Sequence, residues 1–317
     1  MKIIVPEFIM PTLRDAAGEI LASCEFVTLN REGEFSGNIA GAEVVMLPWN
    51  LPAETRYVLL NLPTLKWIHT VSAGVEHTLD ERLQALDIPL TNARGVFDLP
   101  IAETTLAYIL MIVKRMPEFL AQQRARTWRK HALREAAGLT VGLVGLGSIG
   151  MEIARLCHGL GMRVLATRRH PERAAAYVDE VFSGERLGEM LAASDFVVIA
   201  VPLTTETRGL IGEAQLRQMK ATAWLINIAR GAVVDESALV TALREGWIAG
   251  AALDVFVAEP LPEESPLWAL DNVILTPHNS WSTPHLQERE AALFLDNLSR
   301  YLSGAPLRNV VDKDLGY

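Results

Sequence analysis

The sequence predicts an α/β protein with two Rossmann-like lobes, each built on a doubly wound parallel sheet, and a cleft between the lobes. A length of 317 residues is enough for two domains, each with its own core. Short runs rich in Val, Ile, Leu and Ala alternate with helix-like segments along most of the chain. One such run leads directly into a glycine-rich turn, as expected where a dinucleotide-binding lobe begins.

Bulk composition excludes several classes of protein. Half of the residues are hydrophobic and 21% are charged, and no apolar run reaches the ~20 residues needed to cross a bilayer. The first residues lack the features of a signal peptide, so we expect a cytoplasmic protein without a membrane partner. A net charge of −9 and no basic stripe argue against nucleic acid. Cys24 and Cys157 are too few and too far apart for a metal site, so we predict no metal and two buried, reduced thiols.

The first lobe is predicted from short β-rich runs and from the helices between them. The predicted strands are residues 2–5, 26–29, 43–47, 66–70 and 88–91. Helix-like stretches at Thr12–Ser23 and Leu79–Ala85 lie between several of these strands. A long apolar helix from Pro100 to about Met116, followed by a polar, Arg-rich helical stretch through Arg134, is predicted to bridge the lobes.

The second lobe repeats the alternation with more strands. The predicted strands are residues 140–145, 163–167, 196–200, 223–228, 249–254 and 273–275, and the predicted helices are residues 149–160, 186–193, 213–219 and 236–245. A last helix, residues 285–302, follows Pro284 and is expected to return to the first lobe. We therefore predict a discontinuous substrate-binding domain, residues 1–100 plus 284–317, and a dinucleotide-binding domain, residues 101–283.

The turn Gly145-Leu-Gly147-Ser-Ile-Gly150 follows a strand and opens a helix, which is the context that a dinucleotide-binding fingerprint requires. Gly145 permits the sharp turn, Gly147 lets a pyrophosphate approach the backbone, and Gly150 allows close packing of helix and sheet. The amides of Ser148 and Ile149 would face the anion at the helix N-terminus. A purely structural glycine turn is the alternative.

The strand after this turn ends in Arg168-Arg169-His170, where an acidic residue that binds the ribose hydroxyls of NAD is usual. A carboxylate would repel a 2′-phosphate, whereas a guanidinium binds it bidentately and stacks on the adenine. Arg168 and Arg169 therefore favour NADP(H) over NAD(H). The alternative is a solvated rim of positive charge.

Three chemically distinct side chains follow three consecutive predicted strands. Arg230 comes directly after one strand, Glu259 lies in a Pro-containing loop after the next, and His278 ends the third. Ligands of α/β sheets bind at the carboxyl ends of strands, so Arg230 is placed to meet a bound anion. Imidazole transfers protons near neutral pH, and a neighbouring Glu259 carboxylate would favour the imidazolium form of His278. Taken singly, each side chain also fits a surface or structural role.

The motifs VGLVGLGSIG, INIARGAVVDESAL, AALDVFVAEPLP and ILTPHNSW together resemble the D-isomer-specific 2-hydroxyacid dehydrogenase family, with similarity over essentially the whole chain. The resemblance implies that Arg230 binds the carboxylate and carbonyl of the substrate. It also implies that Glu259 pairs with His278 and that His278 acts as the acid/base.

The same resemblance implies further cofactor and substrate contacts. The implied cofactor-binding residues outside the glycine turn and the Arg pair are Thr104, Pro202, Ala229 and Asp254, the last near the nicotinamide carboxamide. The implied substrate-binding residues besides Arg230 and His278 are Gly74 and Val75, through their backbone amides. A homodimer formed around the cofactor lobe and the bridging helices is also implied.

Two tryptophans are candidates for the substrate pocket. Asn279-Ser280-Trp281 replaces the small, glycine-rich continuation common in the family, so Trp281 is a candidate wall of the pocket and an ordinary core tryptophan is the alternative. Trp49 is a weaker candidate from the first lobe.

The leading interpretation is an NADPH-dependent reductase of small 2-keto acids, with glyoxylate and hydroxypyruvate suggested by resemblance alone. Oxidation of phosphite on the same scaffold is a second interpretation, whereas formate enzymes typically pair the histidine with Gln rather than Glu. A cofactor-sensing binding protein, similar to the family's co-repressors, is a third, and it would recruit partners without keto-acid turnover.

Overall fold

The computed structural model describes residues 1–16, 18, 23–172 and 175–317. These residues cluster into two compact units. Unit 1 consists of Met1–Phe97 together with Thr283–Tyr317, and unit 2 of Asp98–Ser282.

Strands and helices are numbered in chain order. The strands in the described residues are β1 (Lys2–Pro6), β2 (Glu25–Leu29), β3 (Ala42–Leu47), β4 (Trp67–Thr70), β5 (Leu90–Thr91), β6 (Thr140–Val144), β7 (Arg163–Thr167), β8 (Glu180–Phe182), β9 (Phe196–Ile199), β10 (Trp224–Asn227), β11 (Gly250–Leu253) and β12 (Val273–Leu275). The α-helices there are α1 (Met10–Ala16), α2 (Ala53–Leu60), α3 (Glu81–Ala85), α4 (Asp98–Val113), α5 (Met116–Arg124), α6 (Ser148–Gly159), α7 (Leu187–Ala193), α8 (Glu213–Gln218), α9 (Glu236–Glu245) and α10 (Leu286–Ser303).

Unit 1 contains a five-stranded parallel sheet in the order β2-β1-β3-β4-β5. Separate apolar clusters cover its two faces. In one of them the buried indole of Trp67 stacks on Phe294 and Tyr301 of α10, with ring centroids 5.3 Å and 5.5 Å apart. The C-terminal helix thus completes the core of unit 1, because it supplies the apolar surface that one face of the sheet needs.

Unit 2 contains a seven-stranded parallel sheet in the order β12-β11-β10-β9-β6-β7-β8. Strands β6, β9 and β11 are buried at every position, as expected for a parallel sheet covered on both faces. The strand order reverses between β6 and β9, which is the topological switch point where doubly wound sheets bind ligands. The predicted α/β class with two parallel sheets is confirmed.

Some elements differ from the sequence-based expectation. The Arg-rich helical stretch predicted through Arg134 ends at Arg124, and Arg126 adopts a left-handed φ of 53°, which a continuing helix does not allow. Helix α2 and strand β8 were not predicted, because α2 lacks a long apolar stripe and β8 has only three residues. The helix predicted over Thr12–Ser23 includes positions outside the described residues.

Two further expectations can be compared with the structure. The Cys157 side chain is buried, and burial raises the pKa of its thiol to about 12. Cys24 is only partly buried, so the expectation of two buried thiols is wrong for Cys24, which lies immediately before the half-exposed start of β2.

No helix within the described ranges has the length and apolar character required to cross a bilayer.

Candidate active site

The three predicted catalytic side chains follow three neighbouring strands of the unit 2 sheet. Arg230 comes after β10, Glu259 after β11 and His278 after β12, and these strands are adjacent and parallel in the order β12-β11-β10. Parallel strands all present their carboxyl ends at the same edge. The fold therefore brings a guanidinium, a carboxylate and an imidazole to one edge of one sheet.

His278 and Glu259 form a hydrogen-bonded pair. The His278 Nδ1 lies 2.7 Å from Glu259 Oε2, and about a third of each side chain is exposed, 37% and 35%. The second oxygen, Glu259 Oε1, accepts a hydrogen bond of 2.9 Å from the Phe256 backbone N–H. Because a carboxylate only accepts hydrogen bonds, Nδ1 is the donor in the pair and Nε2 remains for proton exchange with a ligand.

The backbone of His278 adopts a left-handed conformation, with φ 49°. Non-glycine residues adopt this region uncommonly, although His is among those enriched there. The conformation is held by a hydrogen bond of 2.7 Å from the His278 N–H to the backbone carbonyl of Asp254. A side chain turned in this way can reach Glu259 from the end of β12.

Asp254 anchors the segment that carries His278. Its carboxylate is fully buried and accepts hydrogen bonds from the Thr276 hydroxyl (2.5 Å) and from the backbone N–H groups of Asn279 and Ser280 (3.0 Å each). The residues that donate these bonds lie on both sides of His278 in the sequence. Asp254 was predicted to contact the cofactor, and within unit 2 it also fixes the His278 turn.

Arg230 immediately precedes a short 3-10 turn, Gly231–Val233, that follows β10. Its Nη1 donates to the Ala229 carbonyl at 2.7 Å, and the Asn227 side-chain amide donates to the Arg230 carbonyl at 3.1 Å. A Cβ at Gly231 would lie 1.9 Å from the carbonyl carbon of Phe256, so only glycine fits at this position. The chain after β10 thus packs directly on the chain after β11, three residues before Glu259.

The glycine turn has the geometry that a pyrophosphate requires. Gly145 has φ 101°, and a Cβ at Gly150 would lie 2.5 Å from the Gly145 carbonyl oxygen, so α6 packs closely on the end of β6. A Cβ at Gly147 would meet no atom within 4 Å, which leaves open space over the first backbone N–H groups of α6. Helix N-termini of this kind bind anions, so these residues fit a dinucleotide.

Other predicted cofactor residues lie around this turn. Ser148, the first residue of α6, donates from Oγ to Asp98 Oδ1 at 3.1 Å. Arg168 and Arg169 follow β7, the strand beside β6, and Arg169 Nη2 pairs with Glu206 Oε2 at 2.9 Å. Ile149 lies in the first turn of α6.

The remaining candidates are distributed over both units. Thr104, on α4, donates to the Pro100 carbonyl at 3.0 Å, and the Pro202 carbonyl accepts from the Thr207 hydroxyl at 2.6 Å. The Trp281 indole N–H donates to the His278 carbonyl at 2.8 Å. Trp281 therefore braces the His278 turn, a contact that sequence reasoning did not predict.

The substrate candidates of unit 1 follow β4. The Gly74 carbonyl accepts a hydrogen bond of 2.7 Å from the Ser72 hydroxyl, and Val75 is buried. Trp49 is 44% exposed and its ring lies 6.3 Å from that of Phe97.

Sequence reasoning missed two side chains in the chain of hydrogen bonds that leads to the Asp254 anchor. Thr276 donates to Asp254, and the Tyr108 hydroxyl lies 2.5 Å from Thr276 Oγ1. Thr276 stands within the TPH motif and was a detectable signal. Tyr108 lies in an apolar helix far away in sequence, and no local pattern marks it.

This combination of a doubly wound sheet, a dinucleotide turn and a carboxylate-paired histidine defines an NAD(P)-dependent oxidoreductase. Residues 106–280 match the family model described as D-isomer specific 2-hydroxyacid dehydrogenase, NAD binding domain. The chain belongs to the D-isomer-specific 2-hydroxyacid dehydrogenase family, as the sequence motifs indicated, and is an enzyme of that class.

Three comparisons illustrate the relationship. A glyoxylate reductase of Thermofilum pendens is 40% identical over 259 residues, which cover 80% of this chain and 76% of the relative. A D-isomer-specific 2-hydroxyacid dehydrogenase from Xanthobacter autotrophicus Py2, solved in complex with NADPH and MES, has a TM-score of 0.88 at 33% identity and covers 100% and 99% of the two chains. An NADPH-dependent glyoxylate/hydroxypyruvate reductase from Sinorhizobium meliloti, in complex with NADP and sulfate, has a TM-score of 0.86 at 28% identity, with the same coverage.

Proposed function

We propose that this protein is an NADPH-dependent reductase of small 2-keto acids, with glyoxylate and hydroxypyruvate as its substrates. The observation that carries the proposal is the His278–Glu259 pair, 2.7 Å apart, at the same sheet edge as Arg230. Relatives named glyoxylate reductase and glyoxylate/hydroxypyruvate reductase support this choice of substrates.

Each of the three residues has a role that follows from its chemistry. The Arg230 guanidinium binds the carboxylate of the keto acid and polarises its carbonyl, since a planar fork of N–H donors matches a carboxylate. His278 donates a proton from Nε2 to the carbonyl oxygen as that oxygen becomes an alkoxide. Glu259 holds the ring through its hydrogen bond with Nδ1, so that Nε2 is the nitrogen presented to the substrate.

Bound NADPH would supply the hydride that adds to the carbonyl carbon, so that one hydride and one proton convert the keto acid into the 2-hydroxy acid. The chain's own contribution is orientation and charge: Arg230 fixes the carboxylate, and His278 supplies the proton on the oxygen side. Gly147 and the first turn of α6 would hold the pyrophosphate, and Thr104, Pro202 and Ala229 would contact the rest of the cofactor.

Unit 1 is proposed to be the substrate-binding domain and unit 2 the dinucleotide-binding domain. The backbone amides of Gly74 and Val75 in unit 1 are proposed to contact the substrate carboxylate. Trp281 sets the size of the pocket, and its indole bond to the His278 carbonyl supports a position close to the reacting groups.

A substrate screen tests the proposed function. Purified protein is assayed with glyoxylate, hydroxypyruvate, pyruvate and larger 2-keto acids with NADPH and NADH, and with phosphite and NADP⁺ or NAD⁺ in the oxidative direction. We expect the highest kcat/KM for glyoxylate or hydroxypyruvate with NADPH. Turnover of phosphite alone, or no turnover of any of these compounds, would contradict the proposal.

We propose that Arg168 and Arg169 select NADP(H). Both follow β7 at the position where a carboxylate would bind the ribose hydroxyls of NAD, and solved relatives contain NADPH or NADP. Two guanidinium groups can bind a 2′-phosphate with charge-assisted hydrogen bonds.

Replacing Arg168 and Arg169 together with Ala is expected to raise the KM for NADPH at least about tenfold to hundredfold, because loss of even one charge-assisted hydrogen bond costs ~1.5–3 kcal/mol. The KM for NADH should change less than threefold, since NADH lacks the 2′-phosphate. Steady-state kinetics with both cofactors measures the difference. The matched control is Arg163→Ala, an exposed arginine at the other end of the same strand. Equal losses for both cofactors would remove the arginines from the selectivity.

We infer that the protein acts as a homodimer. Helix α5 has no buried residue, and exposed apolar side chains lie both on α5 and in the segment that follows it. Those side chains are Met116 (41% exposed), Leu120 (43%), Trp128 (96%) and Leu133 (48%). An apolar patch of this kind is typical of an interface. We also propose that the protein acts in the cytoplasm.

Light scattering coupled to size exclusion tests the homodimer. Wild-type protein should have the mass of two chains, and the double variant Leu120→Arg, Trp128→Arg should have the mass of one. Leu302→Arg, at an exposed apolar residue (47%) of α10, is the control and should remain a dimer. A monomeric wild-type protein would contradict the inference.

A further inference from the structure

A buried tyrosine hydroxyl begins a chain of hydrogen bonds that ends at the His278 turn. Tyr108 lies on α4 and is 3% exposed. Its hydroxyl is 2.5 Å from Thr276 Oγ1, and Thr276 Oγ1 is 2.5 Å from Asp254 Oδ1. Tyr108, Thr276 and Asp254 are called the Tyr108 network below.

The direction of the bonds in the Tyr108 network follows from the number of protons available. The Thr276 hydroxyl has one proton and donates it to Asp254, whose two carboxylate oxygens also accept from backbone N–H groups. Thr276 can therefore only accept from Tyr108, and Tyr108 is the donor. Burial raises the pKa of Tyr108 to about 12, so the hydroxyl keeps its proton at neutral pH.

Residues on both sides of His278 donate hydrogen bonds to Asp254, the last member of the Tyr108 network. Thr276 lies two residues before His278 and Asn279 one residue after it, and both donate to the same oxygen, Asp254 Oδ1. The His278 N–H donates to the Asp254 carbonyl. These bonds hold His278 in its left-handed conformation, with φ 49°, which an unsupported residue adopts uncommonly.

We propose that Tyr108 is a positioning residue for the acid/base histidine. By donating to Thr276 it directs the Thr276 hydroxyl onto Asp254, and Asp254 holds the turn in which His278 Nδ1 meets Glu259. This proposal rests on the proposed role of His278 as proton donor. It assigns to α4 a function in the reaction besides packing on α6.

A buried tyrosine generally finds some hydrogen-bond partner, so the bond by itself does not indicate a function. The identity of the partner does. Thr105, the other buried hydroxyl-bearing residue on the same part of α4, donates to the Ile101 carbonyl of its own helix at 2.9 Å. That bond stays within the helix. The Tyr108 bond instead joins α4 to the end of β12, 168 residues further along the chain.

The test compares kcat, KM and NADPH binding in Tyr108→Phe, Thr276→Val, Thr276→Ser and the double variant Tyr108→Phe, Thr276→Val. Tyr108→Phe removes only the donor oxygen, and Thr276→Val removes the hydroxyl with little change in volume. Thr276→Ser retains the hydroxyl. Thr105→Val is the matched control for loss of a buried hydroxyl on α4, and thermal unfolding of every variant separates folding from turnover.

We expect kcat to fall about fivefold to tenfold in Tyr108→Phe and about tenfold to hundredfold in Thr276→Val, because neutral bonds contribute less than bonds to a carboxylate. The Kd for NADPH should stay within about twofold, and the solvent deuterium isotope effect on kcat should increase, as proton delivery becomes more rate-limiting. Thr276→Ser should recover most of the activity. The double variant should be no slower than Thr276→Val alone, because Tyr108 acts through Thr276.

Wild-type kcat in Tyr108→Phe would overturn the proposal, as would additive losses in the double variant or failure of Thr276→Ser to recover activity. An equal loss of kcat in Thr105→Val would also overturn it, since the effect would then be one of folding. If His278→Asn retains turnover, the proposed function itself fails. If His278→Asn is inactive while Tyr108→Phe matches wild type, only the role of Tyr108 is wrong.

Discussion

Replacing His278 with Asn is expected to lower kcat for 2-keto acid reduction about 10²- to 10⁴-fold, the range associated with loss of a general acid. Asn tolerates the left-handed backbone of this position, so the turn should remain intact while the proton donor is lost. The Kd for NADPH, measured by fluorescence titration, should change by less than about threefold, because the glycine turn proposed to bind the pyrophosphate lies at a different strand end, after β6.

A second His–Glu pair in the same protein provides the control. His285 Nδ1 lies 3.0 Å from Glu288 Oε2, but these side chains are 60% and 71% exposed and lie at the start of α10. His285→Asn should leave kcat and KM unchanged. Retained turnover in His278→Asn, or equal losses in the two variants, would show that His278 is not the proton donor.

Replacing Arg230 with Ala is expected to lower kcat/KM for keto acids about 10²- to 10⁴-fold, since the variant loses both the carboxylate contact and the polarisation of the carbonyl. Arg230→Lys should lie between wild type and Ala, because lysine retains the charge without the planar fork of donors. Added guanidinium ion should restore part of the activity of Arg230→Ala and none of the activity of His278→Asn.

The control for this experiment is Arg244→Ala, an exposed arginine in the last turn of α9. It should match wild type in kcat/KM and show no response to guanidinium. The Kd for NADPH in Arg230→Ala should remain close to the wild-type value. Unchanged kcat/KM in Arg230→Ala would exclude Arg230 as the carboxylate ligand.

The placement of the catalytic candidates was predictable from the sequence for a specific reason. Arg230, Glu259 and His278 each follow a short apolar run, and in a parallel sheet such runs all end at one edge. The class of fold and the glycine turn were predictable in the same way, because strand, turn and helix are contiguous in sequence.

The sequence singled out His278 and Glu259, but their spacing alone could not show that the two side chains meet. His285 and Glu288 are three residues apart and pair on a helix surface, whereas His278 and Glu259 are 19 residues apart and pair only because β11 and β12 are adjacent. The residues at which short helices and strands end could also not be predicted from the sequence. Helix α5 ends at Arg124, and the left-handed backbone of Arg126, which the surrounding composition does not specify, prevents its continuation.

The amino-acid sequence by itself determined which chemical groups stand at the strand ends and which turn can receive a dinucleotide, because both depend on periodicity and on contiguous residues. Only the tertiary structure decided how His278, the proposed acid/base, is held. The bonds from Tyr108 through Thr276 to Asp254 join residues separated by 168 and 22 positions. Hydrogen bonds over such separations depend on how buried elements pack, and no local pattern encodes that packing.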